Sequence, residues 1–154
     1  AQTKEIYDSA TPSGNSVAFM NILRLSRMTG NPDLANISIQ LMKSFAETVN
    51  NYPSGYTHFL CAIDFALGPT REIVIAGEPG SDDTKQILKE RSRFLPGKVL
   101  ILHPEKDKSI EEIIGFVKEQ KTIGGKATAY ICENYACKAP TNDREQIKKL
   151  LDER

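Results

Sequence analysis

The sequence predicts an α/β protein, in which an N-terminal helical hairpin and a buried third helix pack on a small three-stranded parallel sheet. Between residues 15 and 67, apolar residues recur at helical spacing, and from residue 71 short β-favouring runs alternate with amphipathic segments. Alternation of strand and helix is typical of parallel sheets with right-handed crossovers. We therefore expect a helical segment at residues 1–70 and a βαβαβα subdomain at residues 71–154, together forming one compact unit.

Three helices are predicted in the first half of the chain. The first covers residues 15–29 and the second begins at Pro32 or Asp33, with an apolar stripe at 3.6-residue spacing. The short Gly-Asn-Pro-Asp link between them predicts an antiparallel hairpin. The third helix, at residues 54–67, is apolar nearly all round, so we expect it to be buried between layers.

Three strands and three helices are predicted in the second half. Continuous β-favouring runs predict strands at residues 72–76, 98–102 and 128–132. Amphipathic segments predict helices at residues 83–94, 110–119 and 143–152. In an open parallel sheet, ligands bind where the carboxyl ends of the strands meet. We therefore expect His103, Cys132 and Cys137, which follow the second and third strands, to lie at that edge.

Charge and composition exclude several classes of protein. The 20 basic residues balance 20 acidic ones, so there is no net attraction to nucleic acid or to an anionic membrane. No apolar run approaches the roughly 20 residues that a bilayer requires, and no signal-type segment is present at the N-terminus. Three cysteines are too few for a secreted disulfide framework. We expect a cytoplasmic protein that binds neither nucleic acid nor membranes.

Cys132 and Cys137 have three interpretations. The preferred one is that they are small thiols packed at a strand end. They could instead form a disulfide or a redox couple, because a short loop keeps them close. They could also join His58 and Cys61, which share one predicted helical face, in a structural zinc site. No cofactor or metal is expected under the preferred interpretation.

Asp64 and His103 are the titratable candidates for catalysis. Asp64 lies in an apolar stretch, where an unpaired carboxylate is costly, so it needs a donor. Structural pairing is the simpler interpretation, since no second carboxylate stands at a matching helical position. His103 could shuttle protons or be an ordinary loop residue. In the loop after the first strand, Asp82 and Asp83 would repel a phosphate, so nucleotide binding is not expected.

Four segments carry a family resemblance. They are Pro-Ser-Gly-Asn-Ser-Val-Ala at 12–18, Ile-Asp-Phe-Ala-Leu-Gly-Pro at 63–69 with the Glu-Ile-Val-Ile that follows, Phe-Leu-Pro-Gly-Lys-Val at 94–99, and Ala-Tyr-Ile-Cys-Glu-Asn-Tyr-Ala-Cys-Lys-Ala-Pro-Thr at 129–141. In this order they resemble the C-terminal part of the thioredoxin-domain-containing, spermatogenesis-associated protein 20-like family, which is defined by the domain of unknown function 255. The resemblance covers nearly the whole chain.

The resemblance implies a place within a larger protein. Members of the family have a thioredoxin-like domain, then a helical toroid similar to sugar epimerases and six-hairpin glycosidases, then a tail like this chain. Because this chain has no thioredoxin-like domain and no Cys-x-x-Cys motif, we expect a fragment or a separately encoded piece. The resemblance implies that Ser13, Gly14, Asn15 and Ser16 belong to the last hairpins of the toroid and could face its central, sugar-like pocket. Helix capping is the simpler explanation for Ser13 or Asn15.

The preferred functional hypothesis is a noncatalytic module that docks onto, or stabilises, the remaining toroid or thioredoxin-like domain. An isolated last hairpin leaves one helical face uncovered, so we expect an exposed apolar patch and self-association through residues 15–50. The alternative is a fragment of an enzyme, either carbohydrate-active, of the sugar-epimerase or six-hairpin-glycosidase type, or thiol-dependent. That alternative needs polar groups that converge on one pocket. Its candidate residues are Ser13, Asn15, Ser16, Asp64, His103, Cys132 and Cys137.

Overall fold

The computed structural model describes residues 5–90, 96–133 and 136–152. It divides into two compact units, Ala1–Pro69 and Thr70–Arg154. The first unit is helical and the second contains a β-sheet. The predicted α/β class is confirmed, while the packing of the helical segment on the sheet stays a prediction.

Three α-helices form the first unit. They are α1 (Gly14–Thr29), α2 (Pro32–Asn51) and α3 (Thr57–Leu67), with a 3₁₀ turn at Pro53–Gly55 before α3. The predicted hairpin is present, because local signals fix both of its ends. Gly30 ends α1 in the left-handed region at φ 67°, and the Asn31 side chain caps α2 by accepting a hydrogen bond of 2.8 Å from the Asp33 amide.

Phe59 of α3 joins the three helices of this unit. Its ring lies 4.6 Å from the ring of Phe19 on α1 and 5.9 Å from the ring of Phe45 on α2, measured between centroids. Phe19 and Phe59 have no exposed surface. Ring separations of this size are typical of stacked and edge-to-face aromatic pairs, so this cluster is the core of the first unit.

The prediction that α3 is buried between layers is wrong for one of its faces. Phe59, Ala62 and Phe65 are buried, whereas Cys61, Asp64 and Leu67 are exposed. Residues three apart return to nearly the same side of a helix, so each set of three occupies one face. Apolar residues therefore lie on all sides of α3, but only the side that carries Phe59, Ala62 and Phe65 is buried.

The second unit is a four-stranded sheet with helices. The strands are β1 (Arg71–Ala76), β2 (Lys98–His103), β3 (Thr128–Glu133) and β4 (Ala136–Cys137), and the helices are α4 (Asp82–Lys89), α5 (Ser109–Ile113) and α6 (Arg144–Asp152). The strand order is β2-β1-β3-β4. On one face, Ile73 and Ile75 of β1 pack with Ile87 of α4 and with Ile147 and Leu151 of α6.

The prediction of an all-parallel, three-stranded sheet is wrong in two respects. β1 and β2 are parallel, but β3 runs antiparallel to β1, and the short β4 adds a fourth, antiparallel strand. A parallel β3 would need a crossover that carries the chain back along the sheet. The predicted helix at 110–119 is instead the five-residue α5 followed by a 3₁₀ turn at Gly115–Glu119.

A tight turn then leads the chain into β3. Gly124 and Gly125 have φ values of 62° and 69°, and Ile123 bridges Lys126 across them. Two consecutive glycines with positive φ are typical of the type I′ turn. β3 consequently starts at the same end of the sheet where β2 finishes.

The remaining element boundaries agree with the predictions to within about two residues, as expected for helix and strand ends, except that α3 begins at Thr57 rather than at residue 54. The helix predicted at 83–94 is seen as Asp82–Lys89, and residues 91–94 of that prediction lie outside the described residues. Within the described part of the chain, no helix combines the length and apolar character needed to cross a bilayer.

Candidate functional site

The three predicted ligand-binding side chains before and within α1 are used in local contacts. Ser13 caps α1, since its hydroxyl accepts a 3.1 Å hydrogen bond from the Ser16 amide. The Asn15 amide group donates to the Glu5 carbonyl at 2.6 Å, and the hydroxyl of the fully buried Ser16 donates to the Ile6 carbonyl at 3.4 Å. These contacts fasten the preceding segment to α1, as capping predicts for Ser13.

Asp8 is a buried carboxylate that sequence reasoning missed. One of its oxygens accepts from the Ser13 amide at 2.8 Å, and the other accepts from the His58 amide at 2.8 Å and the Phe59 amide at 3.3 Å. Burial alone would raise the pKa of Asp8, but the hydrogen bonds from Ser13, Ser16, His58 and Phe59 outweigh it and lower the pKa. Asp8 therefore links the starts of α1 and α3.

The candidates on α3 are not assembled into a site with one another. Asp64 and Cys61 are exposed and His58 is half-buried. The expectation that Asp64 needs a donor is wrong, because an exposed carboxylate is solvated by water. Among the described residues, no group of three or more His, Cys, Asp or Glu side chains is arranged to hold a metal ion.

Cys132 and Cys137 form a disulfide. They are register partners in the ladder between β3 and β4, where side chains directly opposite each other are close enough to bond. Of the three interpretations of this pair, the structure has the disulfide. Thiolates are the cysteine ligands of zinc, so the bonded sulfurs are not thiolate ligands for the predicted set with His58 and Cys61.

His103 and the disulfide lie at opposite ends of the sheet. Ala76 of β1 is level with His103 of β2 and Thr128 of β3, and we name this the His103 end. Glu72 of β1 is level with Cys132, four residues or roughly 13 Å away along the strand, and we name this the disulfide end. The prediction of one shared edge fails because β3 is antiparallel.

An ionic cluster with the buried imidazole of His103 at its centre occupies the His103 end. His103 has no exposed surface, and its Nε2 lies 3.1 Å from Oε1 of Glu111 on α5. The same carboxylate oxygen accepts from Lys108 Nζ at 2.9 Å and from Lys121 Nζ at 3.2 Å. His103 Nδ1 lies 2.9 Å from the Gln120 carbonyl oxygen, so both ring nitrogens face acceptors.

Glu111 is held ionised by these donors. The hydrogen bond from Lys108 is the largest influence, and together with those from His103 and Lys121 it lowers the pKa of Glu111 to about 2, against the opposing effect of burial. Hydrogen bonds between charged groups are stronger than those between neutral ones. The cluster therefore fastens α5 and the following turn to the end of β2.

Two further carboxylates close the loops at the His103 end. Asp83 accepts from the Ala127 amide at 2.7 Å, and Glu105 accepts from the Thr122 amide. Each of these backbone hydrogen bonds is the largest cause of a lowered pKa for its carboxylate. At the β1–α4 loop, a Cβ on Gly77 would collide with the Thr84 hydroxyl. The edge where the sequence predicts ligands is thus occupied by the protein's own donors and side chains.

The second unit also contains a groove, whose lining differs from the polar surroundings of His103. It is formed by aliphatic side chains of β1, β2, α4 and α6, such as Ile73, Ile87 and Ile147, with Lys98 at its side. None of the candidate catalytic or ligand-binding residues lines it. Pockets that bind small molecules combine an apolar lining with a few converging polar groups, so this groove is not the polar site that an enzyme requires.

The comparisons with known proteins identify relatives. No family model and no solved structure matches the chain. Spermatogenesis-associated protein 20 from Rattus norvegicus is 34% identical over 150 residues, and the same protein from Homo sapiens and from Mus musculus is 33% identical over 150 residues. These matches cover 96% of this chain but only 19% of each relative. The chain is therefore similar, over nearly its whole length, to one part of spermatogenesis-associated protein 20, and the family resemblance predicted from its motifs is confirmed.

Proposed function

We propose that this chain is a noncatalytic module of a larger protein, and that its α1–α2 hairpin packs against another part of that protein. The similarity to proteins of which the chain spans only 19% supports a role as one part of a larger whole.

The observation that carries the proposal is the incomplete burial of α2. Of its 20 residues, all of them described, only Ser38 and Val49 are buried. Ile37 and Ile39 are each 43% exposed. Ser38 lies on the buried stripe of α2. At about 100° per residue, Ile37 and Ile39 point about 100° to either side of Ser38, so the apolar residues of α2 extend around more of the helix than its buried stripe does.

α1 adds apolar side chains that also lack cover. Val17 and Leu25 are exposed, and both lie away from the buried side chains of Phe19 and Leu23. We name the four exposed side chains Val17, Leu25, Ile37 and Ile39 the hairpin surface. These exposed side chains, two on each helix, are the apolar surface that the proposed interface would cover.

The contacts of the candidate residues favour a structural role over catalysis. Ser13, Asn15 and Ser16 fasten the segment before α1, and His103 is enclosed with Glu111. A catalytic base must reach a substrate proton, and His103 has no exposed surface.

Oligomeric state tests the hairpin surface directly. In the isolated chain, a second copy is the available partner, so we expect a dimer whose fraction rises with concentration in sedimentation velocity. Replacing Ile37→Asp together with Ile39→Asp should abolish this dimer, because charged groups are costly to bury in an apolar interface. Ile123→Asp is the matched control, since Ile123 is 44% exposed but lies in the second unit.

Binding of an apolar fluorescent dye supplies a second readout for a weak interface. We expect the Ile37→Asp and Ile39→Asp pair to lower dye binding well below that of the Ile123→Asp control. A chain that is monomeric at every concentration, and whose dye binding is unchanged by the pair of substitutions, would contradict the hairpin surface as an interface.

A further inference from the structure

We infer that the Cys132–Cys137 disulfide is a thiol–disulfide exchange site, which a dithiol reduces and the disulfide form of that dithiol re-oxidises while the protein stays folded. This inference is independent of the docking role, because it concerns the second unit alone. The substrate class is a dithiol that exchanges two electrons with the pair.

Unequal exposure of the two cysteines supports the inference. Cys137 is exposed, as is its neighbour Ala136 in β4, whereas Cys132 is only 8% exposed within β3. Exchange requires a thiolate to reach one sulfur of the disulfide. The structure therefore offers Cys137 as the sulfur that is attacked and Cys132 as the one that leaves.

The position of the disulfide makes its opening compatible with the folded state. The two cysteines are five positions apart, so the bond closes a short loop, and short loops contribute least to stability through chain entropy. β4 forms only two register pairs with β3. The following segment keeps its own contacts, since the Lys138 amide donates to the Ile131 carbonyl at 2.9 Å and Ala129 and Thr141 exchange backbone hydrogen bonds.

The exchange balances in two steps. The thiolate of the dithiol attacks Cys137 Sγ, a new S–S bond forms, and the Cys132–Cys137 bond breaks, leaving its electron pair on Cys132 Sγ, which takes a proton from water. The second thiol of the dithiol, as thiolate, then attacks the first sulfur of the dithiol and releases Cys137, which is also protonated. The dithiol leaves as a disulfide, and two electrons and two protons have moved to the protein.

The first experiment measures this equilibrium on the native protein. Cys61→Ser removes the one other cysteine of the sequence, so only the pair remains. Oxidised and reduced samples are held in mixtures of reduced and oxidised dithiothreitol, quenched with N-ethylmaleimide and weighed by mass spectrometry. We expect both samples to reach the same disulfide fraction without denaturant, with unchanged circular dichroism. A pair that needs denaturant to be reduced, or that does not form a disulfide at all, would overturn the inference.

A second experiment tests which sulfur is attacked. In the same Cys61→Ser background, Cys132→Ser leaves the exposed Cys137 thiol and Cys137→Ser leaves the buried Cys132 thiol. We expect Cys137 to form a mixed disulfide with oxidised glutathione at least about tenfold faster than Cys132, because exchange depends on access. Equal rates, or a faster reaction at Cys132, would contradict Cys137 as the point of entry.

Discussion

The two ends of the β-sheet differ in how accessible their reactive side chains are to solvent. At the His103 end, the imidazole and the Glu111 carboxylate are enclosed and bonded to donors and acceptors of the protein itself. At the disulfide end, Cys137 stands on an exposed two-residue strand. His103 and Glu111 thus have no free face for a ligand, because the fold itself supplies their partners. The disulfide, in contrast, remains accessible to thiols at the exposed Cys137.

The largest expected effect comes from breaking the His103 cluster. His103→Leu keeps much of the side-chain volume but removes the ring nitrogens that face the Gln120 carbonyl and the Glu111 carboxylate. Buried groups that lose their partners cost free energy, and we expect the free energy of unfolding to fall by about 3 kcal/mol. Urea denaturation measures this.

His58→Leu is the matched control for that variant, because His58 is half-buried and its side chain lies on α3 in the other unit. We expect it to change the free energy of unfolding by less than about 0.5 kcal/mol. Equal losses for the two histidine variants would contradict the structural importance given to the His103 cluster.

Removal of the disulfide should cost less than loss of the His103 cluster. Cys132→Ser combined with Cys137→Ser opens a loop of few residues, so we expect the free energy of unfolding to fall by about 2 kcal/mol or less. Cys61→Ser, at an exposed thiol, is the control and should be neutral. If the double variant is destabilised more than His103→Leu in the same urea experiment, the ranking of the two ends is wrong.

The pH dependence of stability sharpens the comparison at the His103 end. The pKa of Glu111 is lowered from 4.5 to about 2 in the folded protein, so the unfolded chain binds the proton more readily. The stability that Glu111 contributes is therefore fully present above the unfolded pKa near 4.5 and is lost as pH falls towards about 2.

Glu111→Gln should flatten the decline in stability across that acid range, measured by urea unfolding at a series of pH values. The neighbouring Glu112→Gln is the control, because Glu112 is exposed. An unchanged pH profile in Glu111→Gln would show that the carboxylate is not held ionised by its donors.

The sequence predicted the parts of the molecule that depend on local signals. The α1–α2 hairpin follows from Gly30, Asn31 and the apolar stripe, all of which act within a few residues. The β-runs located β1, β2 and β3 to within a residue or so. Their directions were not predictable from the runs themselves, because β1 and β3 are covered on both faces and such strands are continuously apolar in either kind of pairing. The Gly124-Gly125 turn was the local signal that could have indicated the reversal.

The candidate residues were harder to predict because their partners are distant in sequence. Asp8 binds the His58 amide across 50 positions, and no periodicity connects the two. The prediction places His103 and Cys132 at one edge because it takes β3 to be parallel to β2. Because β3 is antiparallel, the two residues lie at opposite ends of the sheet. Asp64 is predicted to need a donor because its sequence neighbours are apolar, but apolar residues of α3 such as Leu67 are themselves exposed.

Hydrogen exchange read by mass spectrometry, before and after reduction with dithiothreitol, tests the contrast between the two ends most directly. We predict that reduction lowers protection within β4, at Ala136 and Cys137, and leaves protection at Lys138, Ile101, His103 and Ile123 unchanged. Loss of protection across the whole sheet on reduction would contradict the account, because the disulfide would then hold the fold together rather than stand as a separate, exchangeable site at its edge.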